Sequence, residues 1–382
     1  MENRAYKFNF RTFLYLFLMA FAVAGIINKY FITGEHAFGI TPEVPWGILI
    51  SGYVFFAVAA TGTGFISSLG HVFGIQKFQA LSKRALLAST LLLLTAFGVL
   101  AVELSNPFKL IYLLITPNFT SPIFWMGFFY GVYLFLLFVE LFFTIKENHK
   151  MITRTAYVAL VVKLLAVTNL GFVFSYSATR SFWHGYYYPL YMVISAVVAG
   201  AAVLAIIHYL TKKDSGKFAL PMSSEMELAK SLSQILAGSL IVFALFQAVK
   251  VGISLGSANI AISQAAKALI SGPAAMSFWT MEVVVGIIIP VLILFITKFS
   301  SPKMSFGAGV LTMIGLFYSR LDFIYAGLAV PLQITDIATK TIYTVNGYAP
   351  TWSEWSLIFG ATGFILLAFD YAESKFSLDS HH

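Results

Sequence analysis

The chain alternates long apolar runs with short polar stretches. Ten runs approach the roughly 20 mostly apolar residues that a helix needs to cross a bilayer: 13–31, 46–70, 84–104, 122–145, 152–176, 187–210, 228–255, 278–299, 304–327 and 355–372. None shows the period-2 alternation of a barrel strand. Lipid offers no partner for a free backbone N–H or C=O, so the runs are read as helices. The pattern predicts an all-α polytopic membrane protein of about ten transmembrane helices, a single integral membrane domain over 1–382. No internal repeat is visible in the letters. The number of spans allows one helix, a first four-helix bundle at 46–176, a second at 187–327, and one more flanking helix.

Composition agrees. Hydrophobic residues make up 59% of the 382 and charged residues only 10%, against about 25% charged in soluble domains. The expected solvent is the lipid bilayer. The net charge of +8 would in isolation suggest a nucleic-acid partner. Here the basic residues lie in short loops between apolar runs, so membrane topology explains them and no nucleic acid is expected. Of the 24 Lys and Arg, sixteen fall on the side of the N-terminus, five (Lys29, Lys109, Arg180, Lys267, Lys340) on the other, and Lys163, Lys250 and Arg320 within spans. That bias predicts a multi-pass protein of the cytoplasmic membrane with both termini cytoplasmic. The first apolar run is flanked by Arg4, Lys7 and Arg11 but is followed by Asn28-Lys29-Tyr30 rather than a small-residue cleavage site, so it is read as a retained span.

Cysteine is absent. The chain itself therefore offers no disulfide and no thiolate ligand for a metal or an iron–sulfur cluster. A b-type haem needs two axial His on facing helices. Of the seven His only His71 and His208 approach a span, both near the inner end, so neither haem nor metal is expected.

Ionisable residues inside spans are costly and mark functional candidates. The outer half holds Glu103, Lys250, Glu282, Arg320 and Asp322, with Arg180 at its rim. The inner half holds Glu140, Lys163 near mid-depth, His208 and Asp370. Lys250 and Glu282 lie at similar depth and can pair if their helices touch. Glu140, Lys163, Lys250, Glu282, Arg320 and Asp322 are candidate steps of a proton pathway; the same residues could equally glue helices together. A secondary transporter or ion-translocating protein is the alternative to a redox role, with Pro290 interrupting the eighth span and Gly52, Gly62, Gly64 and Gly70 enriching the second. The longer outer loops, 105–121, 256–277 and 328–354, predict either a docking surface for a partner or short interfacial helices.

Three segments together narrow the choice: Trp46–Ser89, Ser121–Leu141 and Asn169–Leu204. In their order and spacing they resemble the NrfD/polysulfide-reductase family of membrane subunits. The ten-span layout is closest to the family's longer branch and is similar above all to the membrane subunit of the dissimilatory sulfite-reductase-associated redox complex. The resemblance implies a subunit without its own redox centre that binds a menaquinone-type quinone near the outer face. It further implies an iron–sulfur, ferredoxin-like subunit docking on the extracytoplasmic face, and further haem- or cluster-bearing subunits. Quinone chemistry needs an apolar slot, hydrogen-bonding groups at the two oxygens and a group to pass protons. Glu103 is the candidate for proton transfer, and Asn169 or Tyr176 for a quinone oxygen. Arg180 and Trp183 would shape the rim, Trp125 would lie near the interface, and Tyr130 is a secondary candidate. One departure stands out: many members carry a His just before the position of Asn169, where this chain has Val167 and Thr168.

Overall fold

The computed structural model describes residues 8–104, 106–108, 111–112, 115–215, 222–332 and 345–375. Arg4, Lys7, Lys109, Lys217 and Lys340, which entered the charge reading, lie outside them. Among the described residues, ten helices are long and apolar enough to cross a membrane. They are α1 (Phe10–Ile27, carried on in wider turns to Ile32), α2 (Ile48–His71), α3 (Gln76–Glu103), α4 (Pro122–Ile145), α5 (His149–Ser175), α6 (Tyr187–Ser215), α7 (Met222–Leu255), α9 (Ser277–Ile296), α10 (Pro302–Ala329) and α11 (Trp352–Lys375). A short helix, α8 (Ile260–Ile270), lies in the connection between α7 and α9. Each span overlaps its predicted run. The largest difference is α3, which begins about two turns before residue 84 because Gln76–Lys83 continues the helix on the side of the N-terminus.

Local chemistry sets the helix starts. Asn9 caps α1 in a reciprocal box with Thr12, and the Asn148 side chain accepts from Met151 N at the start of α5. Pro122 follows Ser121 and Pro302 follows Ser301 at first-turn positions, where a missing N–H leaves no bond unmade. In α9 the stretch Ser277–Ile288 runs in π-type turns and becomes α-helical at Ile289, next to Pro290. Proline cannot donate to the carbonyl four residues back, so the ladder changes register just before it.

Helices α2, α3, α4 and α5 pack in a closed ring, as do α6, α7, α9 and α10. The two rings meet where α2 lies on α6, with α5–α6 and α2–α10 contacts beside it, and α1 pairs with α11 against the outside of α3. The α2–α6 seam is backbone on backbone: a methyl at Gly62 would overlap the Ala196 carbonyl, and one at Gly200 the Gly62 carbonyl. Helix α2 is the buried axis, with 89% of its apolar window covered, whereas 11% of α1's is. The apolar faces left open, such as Phe135, Phe142, Leu245 and Ile253, are those a bilayer would cover.

Candidate functional site

At the face opposite the start of α1, the turn after α5 carries Arg180 and Trp183. Arg180 donates from Nη1 to the Val330 carbonyl at 3.0 Å and from Nη2 to the Glu43 carbonyl at 3.3 Å, tying that turn to the end of α10 and to the loop before α2. Partial burial lowers its pKa from the ordinary value, and guanidinium remains cationic. Trp183 lies behind it, buried. It is stacked on Trp46 at 5.3 Å, edge-on to Phe174 at 5.3 Å, and donates from Nε1 to the Phe323 carbonyl at 3.0 Å. Gly327 lets the indole approach α10; a methyl there would overlap the ring. Beside this block is a cavity of about 400 Å³, walled by Phe182, Ile260, Val330 and Leu332 and edged by Thr179, Arg180, Ser181 and Asn259. It has the size and the mixture of apolar wall and few polar groups typical of a small-molecule site.

The other quinone candidates lie elsewhere. Tyr176 is exposed at the end of α5. Asn169, one to two turns deeper, is half-buried with Oδ1 unpaired. Tyr130 is buried in α4 with its hydroxyl beside the Thr61 side chain. Trp125 donates from Nε1 to the Phe119 carbonyl at 2.9 Å within a cluster of Phe119, Phe124, Phe128 and Phe129. Glu103 does not face α5. Its charged neighbours are Lys29, Glu35 and Glu354, because α1 and α11, not α5, pack beside the end of α3.

Around Glu103 the structure shows groups that the sequence reading did not single out. Lys29 Nζ donates to the Val102 carbonyl, and to the Glu103 carbonyl at 3.3 Å, satisfying the C-terminus of α3 with a cation. Glu354 is fully buried; Oε2 accepts from Gly39 N and Thr351 N, both at 2.8 Å, and Oε1 from the Tyr348 hydroxyl at 2.7 Å. Tyr348 Oη in turn accepts from Ile48 N at 2.7 Å. Burial first, then the Glu354 charge, pushes the Tyr348 phenol well above its usual range. The signal was present in the letters: Thr351-x-x-Glu354 is a capping box, and Glu354 N donates to Thr351 Oγ1 at 3.3 Å.

The six proton-pathway candidates divide into two sets. In the first ring, Lys163 Nζ donates to the Gly64 carbonyl and to Ser68 Oγ, both at 2.8 Å, beside a narrow cavity lined also by His71, Tyr133 and Glu140. Glu140 Oε1 is buried without a partner, and its charged neighbour is Lys163. In the second ring, Gln247 Nε2 donates to Glu282 Oε1 at 2.6 Å, Ser277 Oγ lies 2.6 Å from Asp322 Oδ1, and Arg320 Nη2 donates to Ser195 Oγ at 2.6 Å. Lys250 does not pair with Glu282. Its ammonium donates to the Phe182 carbonyl at 3.0 Å over the faces of Phe182, Tyr187 and Tyr188. Gln247 occupies the place beside Glu282 that the depth argument had given to Lys250. Among the described residues no three His, Cys, Asp or Glu side chains converge as a metal site would require.

Fold and surface define an all-α, multi-pass integral membrane protein. The family model for polysulphide reductase, NrfD, matches residues 37–331, and the chain belongs to that family. It is similar to the Hdr-like menaquinol oxidoreductase integral membrane subunit of Archaeoglobus fulgidus, 24% identical over 353 residues, covering 89% of this chain and 86% of the relative. It is also similar to a selenate reductase subunit of Mesobacillus selenatarsenatis, 21% identical over 402 aligned positions, covering 93% and 92%.

Proposed function

We propose that this chain is the quinone-reactive membrane subunit of a multi-subunit redox complex. It would exchange electrons between a menaquinone-type quinol and an iron–sulfur partner docked on the extracytoplasmic face. The cavity beside Arg180 is the observation that carries this reading, and the relatives' menaquinol oxidoreductase and selenate reductase roles support it. In this reading the cavity face is extracytoplasmic, the membrane is the cytoplasmic one, and both termini are cytoplasmic. The two helix rings are the functional halves of the subunit.

A bound quinol supplies two electrons and two protons. The chain's own part is to hold and orient it. Phe182, Ile260, Val330 and Leu332 give the ring a dry wall. Arg180, fixed by two carbonyls, presents a permanent positive charge to a quinone oxygen. Trp183 and Gly327 keep the wall from collapsing. Asn169, Tyr176 and Glu103 stand outside this cavity, so in this reading they serve the tail path, the surface or the α1–α11 side rather than the ring.

The test is quinol oxidation by the purified complex. Arg180→Ala is expected to raise the quinol KM at least tenfold, since loss of a hydrogen bond to a charged group costs about 1.5–3 kcal/mol. A complex that neither binds nor oxidises quinols, and that ignores quinone-site inhibitors, would remove the reading. Ion translocation is a second reading, supported by the two buried polar sets at different depths. It predicts charge movement across proteoliposomes during turnover, lost in Glu140→Gln or Glu282→Gln.

A further inference from the structure

Glu282, Arg320 and Asp322 are buried to 2%, 1% and 2% exposure. Helix α6 presents Tyr187, Tyr188 and Tyr191 toward Glu282 and Ser195 to Arg320. Helix α7 presents Gln247, and on α10 Ser319 faces Glu282 and Tyr318 faces Asp322. Lys250 on α7 is committed to the Phe182 carbonyl. Asp322 thus has Glu282 as its charged neighbour, and Glu282 in turn has Arg320. Were both ionised, a net negative charge would be buried without a counter-charge, at a cost of several kcal/mol.

The hydrogen bonds indicate which carboxyl is neutral. Ser277 Oγ lies 2.9 Å from the Ala274 carbonyl oxygen, which can only accept, and 2.6 Å from Asp322 Oδ1. A hydroxyl has one hydrogen. Both contacts are full two-centre hydrogen bonds only if Asp322 brings the second hydrogen; otherwise one hydrogen is split between two acceptors. Glu282 Oε1, in contrast, receives the amide N–H of Gln247, whose oxygen is taken by the Tyr187 hydroxyl at 2.7 Å. A separate observation agrees: Glu282 and Asp322 face each other at hydrogen-bonding range, so ionising both would set two negative charges side by side, while Arg320 Nε and Nη1 are buried without a hydrogen-bond partner.

We propose that Asp322 is a proton-holding site, neutral in the resting protein and donating to Ser277, with Glu282 as the ionised partner of Arg320. In the releasing step the O–H bond at Oδ1 breaks and the proton passes to water. The Ser277 hydrogen then turns from the Ala274 carbonyl to the new carboxylate. That this proton is carried across the membrane rests on the ion-translocation reading; its location does not.

The experiment is hydrogen–deuterium difference infrared spectroscopy of the purified complex, with quinol oxidation recorded on the same preparations. A protonated-carboxyl band is expected. It should vanish in Asp322→Asn, persist in Glu282→Gln, and move to higher frequency in Ser277→Ala, which removes only a hydroxyl and leaves the acid in place. Absence of the band, its persistence in Asp322→Asn, its loss in Glu282→Gln, or no response to Ser277→Ala would each overturn the proposal. Quinol oxidation without the band defeats this inference alone. A band that responds to Ser277, in a complex inert to quinols, defeats the quinol reading alone.

Discussion

Replacing Gly327 by alanine tests whether the wall behind the cavity is a packed structural element. The added methyl would overlap the Trp183 indole, so the ring or α10 must move. The indole is 2% exposed and gives up its place only by losing particular contacts. Its Nε1 bond to Phe323 O is worth about 0.5–1.5 kcal/mol, and its stack on Trp46 about as much again. Overpacking adds about 1–3 kcal/mol. The expected total is about 2–6 kcal/mol, depending on how far the ring can slide. Gly98→Ala is the control: it is exposed on α3, with nothing near the added methyl. That change should leave stability unchanged or raise it by up to about 1 kcal/mol through helix propensity. Thermal unfolding of both variants in one detergent, with the quinol KM alongside, is the assay. Gly327→Ala should melt clearly below both wild type and Gly98→Ala, and should bind quinol more weakly because Gly327 also lines the cavity. If Gly327→Ala melts with the control and keeps the wild-type KM, the indole is not wedged as described and the reasoning about this wall is wrong.

Other outcomes follow from the same kind of argument. Glu354→Ala strips the acceptor from two N–H groups and a phenol, at about 1–3 kcal/mol for each donor left buried and unpaired; calorimetry should show a loss of several kcal/mol, partly restored in Glu354→Gln. Tyr348 has its folded pKa raised above the ordinary value of 10.0, so its contribution is fully present below about pH 10 and is lost as pH rises above it. Stability should therefore fall with pH in that window, and Tyr348→Phe should flatten the slope. Gly62→Ala forces α2 off the Ala196 carbonyl and should lower the melting temperature more than Gly98→Ala; equal melting would mean that the two rings are not in backbone contact.

Span number and limits were legible because lipid imposes a single demand, a long apolar helix with its backbone bonded internally. Start signals such as Ser121-Pro122 and Thr351-x-x-Glu354 are local and readable. Partner choice was less legible. Depth along a helix follows from counting residues, but which neighbour a side chain faces depends on helix packing. Lys250 and Glu282 share a depth, yet α7 turns Gln247 toward Glu282 and points Lys250 at the Phe182 carbonyl. By sequence, Glu103 and Asn169 are both candidates for one quinone site, which requires α3 and α5 to face each other. Instead α11 packs on α3, and Glu103 has Glu354 and Lys29 as its charged neighbours. Both differences concern rotation about a helix axis, which an apolar sequence in a lipid environment encodes weakly.

The distribution of tight contacts bears on what can change during function. Gly62 against Ala196 and Gly200 fixes α2 on α6, Gly171 against Pro189 fixes α5 on α6, and Gly286 against Gly315 fixes α9 on α10. Each seam brings backbone to backbone with no flexible side chain between, so a shift of one helix along another would separate main-chain atoms in contact. The buried polar sets lie beside these seams, and their bonds end largely on hydroxyls: Ser68 at Lys163, Ser277 at Asp322, Ser195 at Arg320 and Ser319 at Tyr191. A hydroxyl reverses its hydrogen bond by rotating about one C–O bond, a motion that leaves packing untouched. In a bundle pinned in this way, a change of protonation at Asp322 is accommodated by the Ser277 hydrogen rather than by the helices. The backbone geometry of α9 and α10 should then be the same in both protonation states, and hydrogen exchange of the α9 amides should not change when the carboxyl band does.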